Sequence, residues 1–131
     1  MEFQKFVTRV QSTFNVRDTE RKVVEGLAFI RDLINDLAKQ VDIDNEDFSA
    51  VGRGAVSSIH LKSKTLEFRT LDYKTIVVQL SDTEEEIYRK EIDYLYLPND
   101  KDELVSNHYK IPLSENLMKK YLNRFEDDLM K

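Results

Sequence analysis

Residues 56–80 read VSSIHLKSKTLEFRTLDYKTIVVQL, and this stretch decides the fold. Apolar and polar side chains alternate along three runs, which we assign as strands at Val56–Leu61, Thr65–Leu71 and Thr75–Leu80. Alternation with a period of two is typical of strands that bury one face. The polar links between these runs are short, and short links join antiparallel neighbours. The stretch therefore predicts a β-meander.

The same pattern continues toward the C-terminus. Ile87–Leu97 and Leu104–Ile111 are two further candidate strands, and polar turns at 81–86 and 98–103 precede them. Residues 42–54, before the meander, are rich in acids and end in two glycines, which favours a break between helix and sheet. We therefore expect an antiparallel sheet of four to five strands, all within residues 55–111.

Two amphipathic helices are predicted before the sheet. The first covers about 3–14, because apolar residues recur there at helical spacing, namely Phe3, Phe6, Val7, Val10 and Phe14. Residues 15–18, Asn-Val-Arg-Asp, are assigned to a turn, and the second helix covers about 19–41.

The second helix has an apolar arc that spans more than half of its circumference. The arc contains Val23, Val24, Leu27, Phe29, Ile30, Leu33, Ile34, Leu37, Ala38 and Val41. An arc this wide indicates two neighbours, such as the sheet and another helix, or else a homodimer formed through part of helix 19–41. Gly26 lies within the arc, and we expect another backbone to approach closely there.

A last helix is predicted at about 114–130. Ser114 is a good N-cap, and Leu113 and Met118 occupy the positions of a hydrophobic staple. The sequence thus predicts one α+β domain over residues 1–131, with two N-terminal helices and one C-terminal helix packed mainly on one face of the sheet.

Composition limits the chemistry. The chain has no cysteine, so disulfides, thiolate metal sites and cysteine nucleophiles are excluded. Its N-terminus lacks the features of a secretory signal, and its apolar runs are too short to span a membrane. We therefore expect a cytoplasmic protein without a membrane partner. The net charge of −5 disfavours generic affinity for nucleic acid.

No set of residues has the spacing of a catalytic, metal or cofactor site. His60, His108 and Asp93 are the best candidates for a small hydrolase or a metal-dependent enzyme, but their spacing does not require one. Asp72-Tyr73-Lys74 resembles a short nuclease spacing but is better explained as a turn. Arg53, which lies between two glycines, is the best candidate for binding an anion. We assign no catalytic residue, no metal ligand and no cofactor.

The last part of the predicted sheet is acidic and rich in tyrosine. Residues 82–103 contain nine acids and three bases, a net charge of −6. The candidate partner-binding residues are Tyr88, Tyr94, Tyr96, Tyr109, Glu84, Glu85 and Glu86. Strand parity favours a tyrosine row that faces the core, whereas an outward row would form an aromatic platform suited to a basic partner protein.

These features predict a non-catalytic protein-binding module of the small inhibitor, immunity factor or regulator type. The alternative is a nucleic-acid-binding accessory protein that uses the basic segment 53–74. Its candidate residues are Arg53, Lys62, Lys64, Arg69 and Lys74.

Overall fold

The computed structural model describes residues 3–42, 47–53, 55–83 and 88–129, apart from the side chains at 8, 10–18, 88, 128 and 129. Its helices are α1 (Phe3–Val41) and α2 (Glu115–Leu129). Its strands are β1 (Phe48–Gly52), β2 (Val56–Leu61), β3 (Lys64–Arg69), β4 (Ile76–Asp82), β5 (Tyr88–Tyr96) and β6 (Val105–Ser106). The strands form one antiparallel sheet in sequence order, so the predicted α+β class and meander are confirmed.

The sheet has an inner and an outer face. Buried residues alternate with more exposed ones along β2, β3 and β4, as the burial of Leu66 and Phe68 on β3 illustrates. The residues on the inner face pack with both helices in one hydrophobic core. Neither of the two described helices covers the outer face, which matches the expected placement of the helices on one side.

α1 is one continuous helix of 39 residues, so the predicted turn at 15–18 is wrong. The physical reason is that Asn15, Val16, Arg17 and Asp18 include neither glycine nor proline, and their modest helix propensities do not break a helix. Among the side chains of α1 that the structure describes, those that enter the core belong to its second half, namely Val23, Leu27, Ile30 and Ile34. No helix in the described part of the chain combines the length and apolar character that crossing a bilayer requires.

α2 begins as predicted. Ser114 Oγ accepts a hydrogen bond of 3.2 Å from the backbone N–H of Leu117, which is the expected N-cap bond. Leu117, Met118 and Tyr121 are fully or almost fully buried. The Tyr121 ring meets Phe68 of β3 edge to face, with centroids 5.7 Å apart, so α2 lies over the middle of the sheet.

Strand β1 was missed in the expected sheet because its sequence, FSAVG, contains small residues and a glycine rather than strong strand formers. Gly52 explains why β1 lies there. A Cβ at Gly52 would come within 2.4 Å of the Arg31 carbonyl oxygen, and the Gly52 N–H donates to Asn35 Oδ1 at 2.9 Å. Glycine thus allows the edge strand to approach the α1 backbone.

Gly26 has a different environment from the one expected. Its closest neighbours are the side chains of Leu104, Leu113 and Ile76, at 2.8–3.2 Å from a hypothetical Cβ, rather than another backbone. The glycine therefore makes room for side chains from β4, from the link before β6 and from the loop before α2.

The predicted strand at Leu104–Ile111 is also much shorter in the structure. Only Val105 and Ser106 form β6, and a turn follows in which Lys110 has a positive φ of 62°. The N–H of His108 donates to Asp93 Oδ1 at 2.9 Å, so the carboxylate takes a donor that a longer strand would use for pairing.

Strand β5 contains a bulge that reverses its alternation. Val78 pairs with Asp93 and Gln79 pairs with Glu91, so Ile92 is an extra residue in β5. Ile92 and Asp93 are consequently both buried. The prediction from the sequence assumed that β5 alternates regularly. Because of the bulge, the residues that follow Ile92 lie on the opposite face from the predicted one.

Candidate functional site

Tyr94 and Tyr96 lie on the outer face of the sheet. Leu95 between them is fully buried and pairs with the buried Ile76, so its two neighbours on β5 point away from the core. Tyr94 is 37% exposed, and its ring centroid lies 5.8 Å from that of Tyr96. The core-facing assignment of these two tyrosines is therefore wrong, and the outward alternative describes them.

A row of paired residues extends this aromatic surface across the sheet. Tyr94 pairs with Val77, Val77 with Arg69, and Arg69 with Val56. We call Val56, Arg69, Val77, Tyr94 and Tyr96 the tyrosine patch. Val56 is 42% exposed, so apolar surface remains at both ends of the row.

The turn between β3 and β4 adds exposed apolar side chains beside the patch. Leu71 is 76% exposed and Tyr73 is 42% exposed. The Asp72 carboxylate shapes this turn, since its Oδ1 accepts the N–H groups of Lys74 at 2.9 Å and Thr75 at 3.4 Å. The hydrogen bond from Lys74 lowers the pKa of Asp72. Asp72-Tyr73-Lys74 is thus a turn, as its sequence predicted.

Arg69 is the charged member of the tyrosine patch. One of its terminal nitrogens lies 3.5 Å from Glu67 Oε1, and both side chains are little more than a quarter exposed. Within the described residues, the Nε of Arg69 has no hydrogen-bond partner. Arginine and tyrosine are the residue types enriched at the energetic centres of protein interfaces.

Tyr109 does not join the tyrosine patch. Its ring meets Tyr121 of α2 edge to face at 5.8 Å, and Lys120 Nζ lies 5.6 Å from the Tyr109 centroid. Tyr109 is half-buried and therefore belongs to the packing between α2 and the turn after β6.

The buried carboxylate of Asp93 organises that region. Asp93 is 4% exposed, and its Oδ1 accepts the N–H groups of Tyr94 and His108 at 2.8 and 2.9 Å. Its Oδ2 accepts the hydroxyl groups of Ser106 and Tyr121. Burial, followed by the hydrogen bond to Asp93, raises the pKa of Tyr121 well above its usual value.

This network is structural in character. The Asp93 oxygens already accept four hydrogen bonds from the protein, and a buried carboxylate needs such partners to be tolerated. The network joins β5, β6, the turn after β6 and α2. With the residue 4% exposed, the carboxylate has little surface from which to act as a general base on a substrate.

The structure does not bring the two histidines together. His60 lies on β2 and His108 follows β6, so four strand spacings, roughly 19 Å, separate their positions across the sheet. His60 Nδ1 lies 2.9 Å from Thr65 Oγ1, and the His108 ring contacts Tyr109. Among the described residues, no three metal-ligating side chains converge.

The basic residues of segment 53–74 are also dispersed. Lys62 lies in the turn before β3 and Lys64 begins that strand, whereas Arg69 ends it and Lys74 follows in the next turn. The ends of β3 are about 17 Å apart, given a rise of about 3.4 Å per residue. Arg53 is exposed just after β1. These positions line two ends of the sheet rather than one continuous groove.

Part of the predicted acidic surface lies outside the described residues. This applies to Glu84, Glu85 and Glu86, and also to the side chain of Tyr88. Glu91 is exposed on the outer face, where it pairs with Gln79. Of the acidic residues around the tyrosine patch, the structure therefore describes Glu67 and Glu91.

A second surface, which sequence reasoning missed, lies between α1 and α2. It is a groove of about 420 Å³, which we call the helix groove. Its lining residues are Phe29, Asp32, Leu33, Asp36, Leu37, Gln40, Glu115, Met118, Lys119 and Leu122. Phe29 is 39% exposed, and the lining includes three acidic residues and one lysine, with Asp32 ion-paired to Arg31.

The signal for the helix groove was present in the sequence but incomplete. Phe29 and Leu33 widen the apolar arc of α1 beyond the residues that meet the sheet, which indicated a second neighbour. The acids and the α2 residues could not be assigned to the same site, because residues 42–114 separate the two helices in the chain.

Comparison with known protein families, curated proteins and solved structures found no match for this chain.

Proposed function

We propose that the protein is a non-catalytic protein-binding module whose partner binds the tyrosine patch. The observation that carries the proposal is the adjacent, outward position of Tyr94 and Tyr96 on a sheet face that neither described helix covers. Tyrosine supplies a large contact area with few rotatable bonds, so it binds a partner at low entropic cost.

The surroundings of the two tyrosines support the same proposal. Val77 and Val56 add apolar area, and Arg69 supplies a partly exposed guanidinium that is ion-paired with Glu67. An apolar centre with a polar rim is the usual anatomy of a protein interface. Antiparallel sheets commonly expose one face to solvent, and polar side chains suffice there. Adjacent aromatic side chains on that face therefore indicate a binding surface.

The partner's charge follows from the acidic character of the chain. Glu67 and Glu91 flank the patch, and the acidic segment 82–86 adjoins β5. We therefore propose a basic partner protein, which electrostatic attraction would bring to this face more quickly. An inhibitor, an immunity factor or a regulator would each act through such a surface.

Binding after mutation of the two tyrosines tests the proposal. Tyr94→Thr and Tyr96→Thr remove the rings while keeping good strand formers at both positions. Wild-type protein used as bait should capture a partner from its native cell, and the double variant should bind the purified partner about 30-fold more weakly or worse, as loss of a hot spot implies.

A matched control keeps this experiment specific. Ser49→Ala alters an exposed residue of β1, four strands away from β5, and should leave the affinity unchanged. Thermal unfolding must show that the double variant is folded. A partner that binds the folded double variant as tightly as it binds wild type would refute the proposal.

A further inference from the structure

The two edges of the sheet differ in how they are protected. Edge strand β6 is only two residues long, and the segment that follows it folds back along its outer side. Val105 forms a bridge with Pro112, and the N–H of Ser106 donates to the Ile111 carbonyl oxygen at 2.9 Å. Cover of this kind prevents an edge strand from pairing with another chain. The edge at β6 is therefore closed.

The register of β1 with β2 determines which backbone groups point away from the sheet at the other edge. The N–H of Lys62 donates to the Asp47 carbonyl oxygen at 2.6 Å. In an antiparallel pair, every second residue exchanges hydrogen bonds with the neighbouring strand, so from Asp47 onward these residues bond toward β2. The alternate residues, Phe48, Ala50 and Gly52, direct their N–H and C=O groups to the side of β1 away from β2. We call that side the free edge.

Two of the three residues leave the free edge open. The Gly52 N–H is already used, since it donates to Asn35 Oδ1 of α1 at 2.9 Å, which also agrees with the direction assigned to it. Among the described residues, no hydrogen bond is found for the N–H and C=O groups of Phe48 and Ala50. β1 also contains no charged residue and no proline, which commonly protect an edge strand.

An extended backbone is the ligand whose donors and acceptors match the free edge. It presents N–H and C=O groups to one side at every second residue, as when a peptide adds a strand to a sheet. The side chains of Phe48 and Ala50 lie on the inner face and pack against the core. Side chains of an added strand that continue these rows would extend the core. Apolar residues are therefore expected at every second position of the added strand.

A second copy of the chain fits the free edge less well than an extended segment. α1 packs against β1, and the Arg31 carbonyl oxygen lies 2.4 Å from a hypothetical Cβ at Gly52. A second copy would bring its own α1 to the same edge, whereas an extended segment brings no helix. Two copies would also repel each other, because each carries a net charge of −5.

We propose that an extended segment of a partner protein, apolar at every second position, pairs with the free edge of β1 and adds a strand to the six-stranded sheet. Its backbone exchanges hydrogen bonds with Phe48 and Ala50, and its apolar side chains lie beside theirs on the inner face. The site does not use the tyrosine patch, so either proposal can fail without the other.

Peptides selected from a phage-displayed random library test the site. The library carries segments of about ten residues, the upper length of an ordinary strand. Selection uses the full chain with Tyr94→Thr and Tyr96→Thr, so that peptides are not selected by the tyrosine patch. The selected peptides are then synthesised, and their Kd is measured with wild-type protein and with β1 variants.

Proline at position 50 separates the free edge from the rest of β1. Ala50→Pro removes an outward N–H and no hydrogen bond to β2, and proline is tolerated at such positions of an edge strand. We expect the Kd of the selected peptides to rise at least about tenfold, because one backbone hydrogen bond is lost. Ser49→Ala, on the same strand, keeps every outward N–H and should leave the Kd unchanged. Circular dichroism must show that both variants are folded.

Two measurements on wild-type protein do not depend on the fold of any variant. Single N-methylation of the peptide amides should weaken binding at alternate positions only, because a strand uses every second N–H toward one neighbour. Amide hydrogen exchange at Phe48 and Ala50, followed by NMR, should be fast in the free protein and slow when the peptide is bound.

Three results would overturn the proposal. The first is a selection that yields no peptide able to slow exchange at Phe48 and Ala50. The second is slow exchange at both residues without peptide at every protein concentration, because the free edge would then be covered within the chain. The third is exchange that slows without peptide as protein concentration rises, which would favour pairing between two copies of β1.

Discussion

The two halves of α1 resemble each other in sequence and differ in environment. Apolar residues follow helical spacing in both, at Phe3, Phe6 and Val7 in the first half and at Ile30 and Ile34 in the second. The second-half residues have no exposed surface, whereas Phe3 and Phe6 are more than two-thirds exposed. An apolar stripe therefore predicts a helix, but not what covers the helix.

The difference arises from what lies opposite each half. β1, β2 and β3 pack against the second half, and Gly52 allows the edge strand to touch its backbone at Arg31. α2 lies beside it across the helix groove. Burial of the second half therefore contributes to folding, whereas the exposed side chains of Phe3, Phe6 and Val7 contribute little to it.

Truncation in the second half should have the largest effect. Ile34→Ala removes a fully buried side chain from the core, and we expect it to lower the free energy of unfolding by about 2–5 kcal/mol. Urea denaturation followed by circular dichroism measures this loss. A loss below that of ordinary surface substitutions would show that this half is not anchored as described.

A smaller effect is expected where α2 is held over the sheet. Tyr121→Phe removes one of four donors to the buried Asp93 and should cost about 1–3 kcal/mol at neutral pH. Burial raises the pKa of Tyr121 above its unfolded value near 10, so its contribution is complete below that pH and is lost as pH rises further.

The pH dependence separates this role from simple packing. Above pH 10 the unfolded state releases a proton that the folded state keeps, so wild-type stability should fall more steeply than that of Tyr121→Phe. The difference in slope should be about 1.4 kcal/mol per pH unit. Equal slopes in the two proteins between pH 10 and 12 would contradict the buried hydrogen bond.

The smallest effect is expected in the first half of α1. Phe6→Ala changes a side chain that is 67% exposed, so the free energy of unfolding of the monomer should change by less than about 0.5 kcal/mol. Urea denaturation followed by circular dichroism, run beside Ile34→Ala, measures this change. A loss as large as that of Ile34→Ala would mean that the first half also packs within its own chain.

The sequence was informative where the rules are local. Alternation at residues 56–80 located β2, β3 and β4 to within a few residues, and Ser114 located the start of α2. Short links also gave the order of the strands. These features depend on neighbouring residues, so a single sequence contains them.

The errors occurred where distant parts of the chain decide the outcome. β1 is recruited by contact between Gly52 and α1, which its own weak strand sequence does not indicate. The extra residue Ile92 reversed the side on which Tyr94 lies. The helix groove joins residues of two helices that are far apart in the chain. Each of these requires tertiary contacts that local pattern does not encode.

The bulge at Ile92 also protects β5 from pairing in the wrong alignment as the chain folds. The buried positions of β5 alternate differently on its two sides. Ile92 follows one alternation, and Asp93 and Leu95 follow the opposite one. If β5 slid by one residue along β4, Leu95 would be exposed and the Asp93 carboxylate would lose its four donors. Only one alignment of β5 with β4 buries the core-facing residues on both sides of the bulge. The bulge therefore disfavours slippage of β5 along β4.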